Sequence, residues 1–174
     1  RSEEERKITE VILKRKHLFE LIEGGENLHV EFKQKFSGEE KIAKEMIAFA
    51  NTDGGFLIFG VKDSGKVIGV YSEKEMAELV ETVAKDYCEP RIDYEIDYFE
   101  YEENEIVVCR IPRSDKRPHR IQDYQDKLDI RNAQVYVRVN DKSVPASKEM
   151  IRLLRAKSEG KKLQKYNIGK IEKV

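Results

Sequence analysis

Between Ala48 and Val70 the chain reads AFANTDGGFLIFGVKDSGKVIGV, and this stretch leaves few folds open. Phe56 to Val61 is a nearly continuous apolar run, too short for a helix and flanked by glycines, so it predicts a central strand buried on both faces. Such a strand needs a sheet around it and helices packed on that sheet. The run before it ends a helix at Asn51-Thr52-Asp53-Gly54-Gly55, and Asp63-Ser64-Gly65-Lys66 after it predicts a hairpin turn into a return strand, Val67 to Val70. Two readings of the paired glycines stand: they let backbone approach a ligand, or they merely turn the chain, the commoner case. A phosphate loop is excluded, because the GxxxxGK[ST] spacing is missing and the helix precedes the glycines; no GxGxxG occurs either.

Around this centre the period of the apolar residues sorts the other elements. Ile8, Val11, Ile12, Leu18, Phe19 and Ile22 recur at helical spacing from Glu3 to Glu23, where Gly24-Gly25 ends the run. Leu28, Val30 and Phe32 alternate with polar residues as in a half-buried strand. Ser37 reads as the cap of a helix carrying Ile42, Ala43, Met46, Ile47, Phe49 and Ala50, and Ser72 as the cap of an acidic helix from Glu73 to Tyr87 that Pro90 closes off. Ile92, Tyr94, Ile96 and Tyr98 alternate with charged residues, and Ile106 to Ile111 returns after Glu102-Glu103-Asn104, which predicts an antiparallel hairpin. A loop from Pro112 to about Asp126 leads to Leu128-Asp129-Ile130 and a strand Gln134 to Val139, after which Ser147 caps a last helix from Lys148 to about Lys157. The expected fold is α+β: a single domain with one mixed, mainly antiparallel sheet and helices packed on it. Residues 1–24 read as an amphipathic helix, 25–156 as the domain and 157–174 as a basic tail or linker.

Composition narrows the function classes. Hydrophobic and charged residues each make up 39% of the 174, enough apolar surface for a core, yet no apolar run approaches the roughly 18 residues needed to span a bilayer. Arg1 rather than Met opens the chain, which reads as a trimmed N-terminus. Cys88 and Cys109 stand alone, so neither a disulfide framework nor a zinc knuckle follows, and the cytoplasm is the expected compartment. Net charge is -1, but it is a cancellation between segments. Asp86 to Glu105 holds nine acids and one Arg; Arg110 to Arg120 (RIPRSDKRPHR) holds five Lys or Arg and one acid. A uniformly basic nucleic-acid binder is excluded, a segregated basic surface is not.

The ordered series Gly25-Glu26, Val30-Glu31-Phe32-Lys33, Ala48 to Gly55, Gly60-Val61-Lys62-Asp63, Pro112-Arg113-Ser114, Lys116-Arg117-Pro118-His119, Tyr136-Val137-Arg138-Val139 and Pro145-Ala146-Ser147 resembles the Schlafen AlbA-type domain. The resemblance covers about Leu18 to Leu154. Asn140 departs from it, standing where bacterial members often have Gly, although Asn also accepts left-handed backbone geometry.

The resemblance implies a cytoplasmic nucleic-acid-binding domain, DNA or RNA its partner, within a protein described as a transcriptional regulator. Arg113, Lys116, Arg117, Arg120 and Arg138 are the expected phosphate contacts, with His119 beside them. It also implies an alternative, since some vertebrate relatives cleave RNA with three acidic residues. Carried over, those are Glu26, Glu31 and Asp63, with Lys33 next to the phosphate and Mg²⁺ or Mn²⁺ as the cofactor; otherwise no cofactor is expected. Glu26 and Glu31 converge only if Glu26 lies in the turn after Gly25, because residues five apart on one strand face opposite ways. The competing reading makes Glu31 and Lys33 a solvated pair and Asp63 an ordinary turn residue. A third reading has the first helix and the acidic helix dock a protein partner or a second copy as a homodimer.

Overall fold

The computed structural model describes residues 2–122 and 134–158. The predicted Leu128-Asp129-Ile130 segment and the tail beyond 158 lie outside the described residues. In chain order the elements are α1 (Glu3–Gly24), β1 (Val30–Lys33), α2 (Glu39–Asn51), β2 (Gly55–Phe59), α3 (Glu73–Asp86), β3 (Cys88–Glu89), β4 (Glu95–Tyr101), β5 (Asn104–Ile111), β6 (Arg120–Ile121), β7 (Tyr136–Val139), β8 (Lys142–Pro145) and a last helix, α4, over residues 148–158. No helix among the described residues is long and apolar enough to cross a membrane.

The main sheet runs β1-β2-β5-β4. β1 and β2 are parallel, which requires a crossover, and α2 supplies it; the other pairs are antiparallel. Alternation along β2 sends Ile58 to one face and Leu57 and Phe59 to the other, all fully buried. On the Ile58 side, α1 lays Leu18, Leu21 and Ile22 against Phe32, Ile106 and Val108. On the other side, α2 and α3 pack Met46, Phe49, Val80 and Val83 against Leu57, Phe59, Val107 and Cys109. The predicted central strand is therefore the middle of a three-layer core.

Side-chain caps decide some helix starts and fail at one. Ser2 Oγ accepts from Glu5 N while the Glu5 carboxylate accepts from Ser2 N, both at 3.2 Å; Ser72 and Ser147 cap α3 and α4 as expected. Ser37 does not cap α2. Gly38, at φ 105°, takes the cap position without a side-chain bond, and Ser37 Oγ is buried without a partner.

The return strand expected at Val67 to Val70 is a correction. β2 has two hydrogen-bonding edges, and β1 and β5 occupy both. The segment keeps a single bridge, Val61 to Val67, and folds over the end of β2, where Ile68 N and Gly69 N both donate to Gly60 O at 2.9 Å. The acidic hairpin forms, although β4 starts at Glu95 rather than Ile92, and Glu102 and Glu103 take positive φ at its turn. β8, hidden by its polar Lys142 and Ser143, pairs back on β7 through Asn140 at φ 54°, the left-handed geometry expected there. This hairpin and α4 enclose a small core of their own, Val135, Val137, Ala146, Ile151 and Leu154.

Candidate functional site

The double glycine is filled by the protein itself. A Cβ on Gly54, where φ is 76°, would lie 2.7 Å from Ile111 O and 2.9 Å from Arg113 N, and one on Gly55 would strike the Phe49 ring. The close approach these glycines permit is thus between the end of α2 and the chain leaving β5. Just before them Asn51, 1% exposed, donates from Nδ2 to His119 O and Tyr136 O, both at 2.9 Å, and accepts from His119 N at 2.7 Å. Ser114 N donates to Ala50 O at 2.9 Å. The basic loop from Pro112 to Arg120 is therefore fastened along its inner side to the last turn of α2.

His119 belongs to that fastening, not to a phosphate surface. It is buried, its Nδ1 stands 2.7 Å from Pro90 O, and its Nε2 stands 2.5 Å from Ser114 Oγ. A carbonyl only accepts, so the proton is assigned to Nδ1 and the Ser114 hydroxyl donates to Nε2. Burial lowers the imidazole pKa and keeps it neutral, the Pro90 bond opposing only in part.

The cations divide by environment. Arg113 and Lys116 are exposed, with Arg113 Nη1 3.9 Å from Asp53 Oδ1. Arg120 is drawn back to Glu89 at 2.8 Å across the β3–β6 pair. Arg117 is 5% exposed, and its Nε and Nη2 have no hydrogen-bond partner. Arg138, expected to grip phosphate, is a second correction, because its side chain is wholly buried on β7. Its Nη1 donates to Glu45 Oε2 and Ser143 Oγ, both at 3.1 Å. Nη2 donates to Asn27 O, Val30 O and Glu31 Oε2 at 3.0, 3.2 and 3.3 Å, and the guanidinium stacks 4.7 Å over the Phe49 ring.

Two of the three carboxylates implied for catalysis do meet. Glu26 lies in the turn after Gly25, its Oε1 accepts from Phe32 N at 3.0 Å, and it hydrogen-bonds to Glu31. Lys33 sits between Glu45 at 3.4 Å and Glu31 at 3.9 Å, so it is no free phosphate contact. Asp63 is elsewhere, exposed in a turn closed by Lys62 N donating to Lys66 O at 2.9 Å. The cluster thus holds Glu26, Glu31 and Glu45 against two cations, Arg138 and Lys33. Burial first, then the Glu45 charge, raise the Glu31 pKa to about 8; Arg138 opposes, and the Glu26 charge and hydrogen bond add to the rise. One proton therefore stays in the cluster at neutral pH. This donor set does not fit Mg²⁺ or Mn²⁺ as carried over: Arg138 and Lys33 already supply positive charge to the carboxylates, and Asp63 is absent from the set. Among the described residues no three His, Cys, Asp or Glu are grouped so as to hold a metal ion.

Glu45, Ser143, Asn51 and Asp53 are the residues that sequence reasoning missed. Glu45 lies on the apolar helix α2 four residues before Phe49, a spacing that could have marked it as facing the same side.

Comparison with known proteins agrees with the motif series. The family model for Schlafen, AlbA_2 matches residues 26–147. An uncharacterised ATP-binding protein of Ureaplasma parvum is 39% identical over 88 residues, 47% of this chain. The chain spans only 24% of the length of that curated relative. Among solved structures, the DIP2311 protein from Corynebacterium diphtheriae is similar with a TM-score of 0.49 and 21% identity, over 67% of this chain and 22% of that one. The N-terminal domain of an ATP-dependent DNA helicase RecG-related protein from Nitrosomonas europaea gives a TM-score of 0.47 and 21% identity, over 63% of this chain and 81% of that domain.

Proposed function

The chain belongs to the Schlafen AlbA_2 family, and from that premise we propose that it is a nucleic-acid-binding domain, DNA or RNA its ligand, serving a regulatory protein of the cytoplasm. The observation that carries the reading is the fastened loop. Asn51, Ser114 and His119 hold its backbone from within, so Arg113 and Lys116 stand on a fixed frame at the surface rather than on a mobile tether. A cation held in place loses less freedom when it meets a phosphate. Two carboxylates of the acidic hairpin β4–β5 are engaged elsewhere, Glu95 with Arg110 at 2.7 Å and Asp97 with Lys14 at 3.4 Å.

Burial and pairing support a shorter set of proposed contacts. With Arg117, Arg138 and His119 inside and Arg120 paired, Arg113 and Lys116 remain as exposed loop cations, and two neutralised phosphates correspond to a slope of about -2 in log affinity against log salt on duplex DNA. Five contacts would correspond to a slope of about -4.5. Fluorescence anisotropy with DNA and RNA oligonucleotides over a salt series measures this. The double variant Arg113→Ala, Lys116→Ala is expected to abolish most of the slope while unfolding within about 0.5 kcal/mol of the parent. Salt-independent binding, or unchanged binding by the double variant, would overturn the proposal.

A further inference from the structure

The main sheet ends differently on its two sides. At β1 the outer backbone groups are taken up: Val30 N donates to Asn27 O at 3.4 Å, Phe32 N to Glu26 Oε1 at 3.0 Å, and Val30 O accepts from Arg138 Nη2 at 3.2 Å. At β4, the other end, no strand pairs outside it among the described residues. The register with β5 fixes which groups are left over. Tyr101 and Asn104 flank a two-residue turn as a bonded pair, so by alternation Ile96, Tyr98 and Glu100 turn their N–H and C=O away from β5. Two bonds agree with this. Glu105, opposite Glu100, sends its carbonyl to Val70 N at 2.7 Å on the far side of β5, and Glu100 O accepts from Arg15 Nη2 at 2.6 Å. The outward groups of Ile96 and Tyr98 have no partner among the described residues.

Open space flanks this edge on both faces of the sheet. On the α3 side a groove of about 480 Å³ has Tyr94, Ile96 and Tyr98 along the strand and Glu73, Glu78 and Glu81 along the helix. Tyr98 is 51% exposed there. On the α1 side a second groove, about 280 Å³, is already neutralised, with Lys14 on Asp97 at 3.4 Å and Arg15 on Glu100 O. The α3 groove is not, since its three carboxylates face one cation, Lys74. Burial and then the Glu105 charge raise the Glu73 pKa, and burial and then the Glu81 charge raise that of Tyr94. A second copy is a poor occupant, because pairing two β4 edges would set Glu95, Asp97 and Glu100 beside the same acids. A strand added here sends every second side chain to the α3 face, where a cation meets carboxylates and tyrosine rings together. We propose that the outer edge of β4 and the groove under α3 dock an extended basic segment of a partner protein, which adds as a strand with Lys or Arg at alternate positions facing α3. This surface does not depend on the nucleic-acid reading of the basic loop.

The whole chain is titrated with a synthetic peptide of about nine residues in which Lys or Arg alternates with Val or Thr, the span of β4 with a residue to spare at each end. The control peptide has the same composition with its cations gathered in one block. Calorimetry is expected to show saturable binding of the alternating peptide, at least about tenfold tighter than the block peptide. Methylating the backbone nitrogens on one edge of the peptide is expected to abolish binding, and methylating those on the other edge to leave it intact, because only one edge meets β4. Amide exchange followed by NMR gives the direct signature. The N–H groups of Ile96, Tyr98 and Glu100 are expected to slow at least about tenfold in the complex, while those of Asp97 and Phe99, already bonded to β5, change little. The double variant Glu78→Gln, Glu81→Gln, altered only on the exposed face of α3, is expected to bind the alternating peptide at least about tenfold more weakly. Equal binding of the two peptides, unchanged exchange at Ile96 and Tyr98, or full binding by the double variant would each overturn the proposal. So would a dimer of the chain alone, seen by light scattering, that protects the same amides, since the edge would then belong to a second copy.

Discussion

Two buried arginines border the same region and have opposite surroundings. Arg138 meets two carboxylates, one hydroxyl, two carbonyls and an aromatic face, leaving only Nε unmatched. Arg117 is nearly as buried and leaves a whole edge of its guanidinium open. The comparison teaches how to read a buried cation. One that is satisfied ties elements together, here β1, α2, β7 and β8; one that is not leaves the cost of its burial uncompensated.

The largest expected effect breaks the satisfied side. Arg138→Ala leaves Glu31 and Glu45 with Lys33 as their one remaining cation and is expected to lower unfolding free energy by about 3 kcal/mol in urea titration, because the half-buried carboxylates lose the charge and hydrogen bonds of the guanidinium. A loss below about 1 kcal/mol would mean that the cluster is solvated and the contrast with Arg117 false. Next comes the fastening that orients the open side. Asn51→Ala removes three buried hydrogen bonds and is expected to cost about 2–3 kcal/mol and to weaken nucleic-acid binding, although Asn51 faces inward. Unchanged affinity in a folded Asn51→Ala protein would show that the loop needs no rigid frame.

The smallest effect concerns the proton in the cluster. The Glu31 pKa lies near 8 when folded and near the ordinary 4.5 when unfolded, so between those values the folded state holds the extra proton. Stability contributed by that proton is present below about 4.5 and is lost as pH rises through about 8. Glu31→Gln keeps the shape without the titration. It is expected to flatten the stability profile between pH 5 and 9 and to exceed the parent at the alkaline end by on the order of 2 kcal/mol, the cluster sharing one proton among its carboxyls. Parallel profiles for parent and variant in thermal melts would show that Glu31 ionises normally.

Legibility followed the range of the interaction. The buried run Phe56 to Val61, the caps at Ser72 and Ser147 and the acidic hairpin were readable, because each rests on neighbours in sequence. Ser37 was misread because Gly38 could take the cap position through its positive φ, a choice that a list of favoured capping residues does not reveal. The return strand at Val67 to Val70 failed for a longer-range reason, since β5 claimed the edge of β2. At the site the residue types were visible and their exposure was not. Glu26 and Glu31 met as the turn after Gly25 allowed, while their third partner proved to be Glu45 on α2 rather than Asp63.

By itself the sequence determined the α+β class, the central strand, the family and the segregation of charge into an acidic hairpin and a basic loop, all of which depend on local period and composition. Tertiary structure alone decided which cations face water. Arg113, Arg117, Arg120 and Arg138 are the same residue in similar contexts, and they differ because Asp53, Glu89, Glu31 and Glu45 come to them, or fail to come, from remote segments. A guanidinium's role is set by the oxygens within about 3 Å of it, and those are placed by the fold.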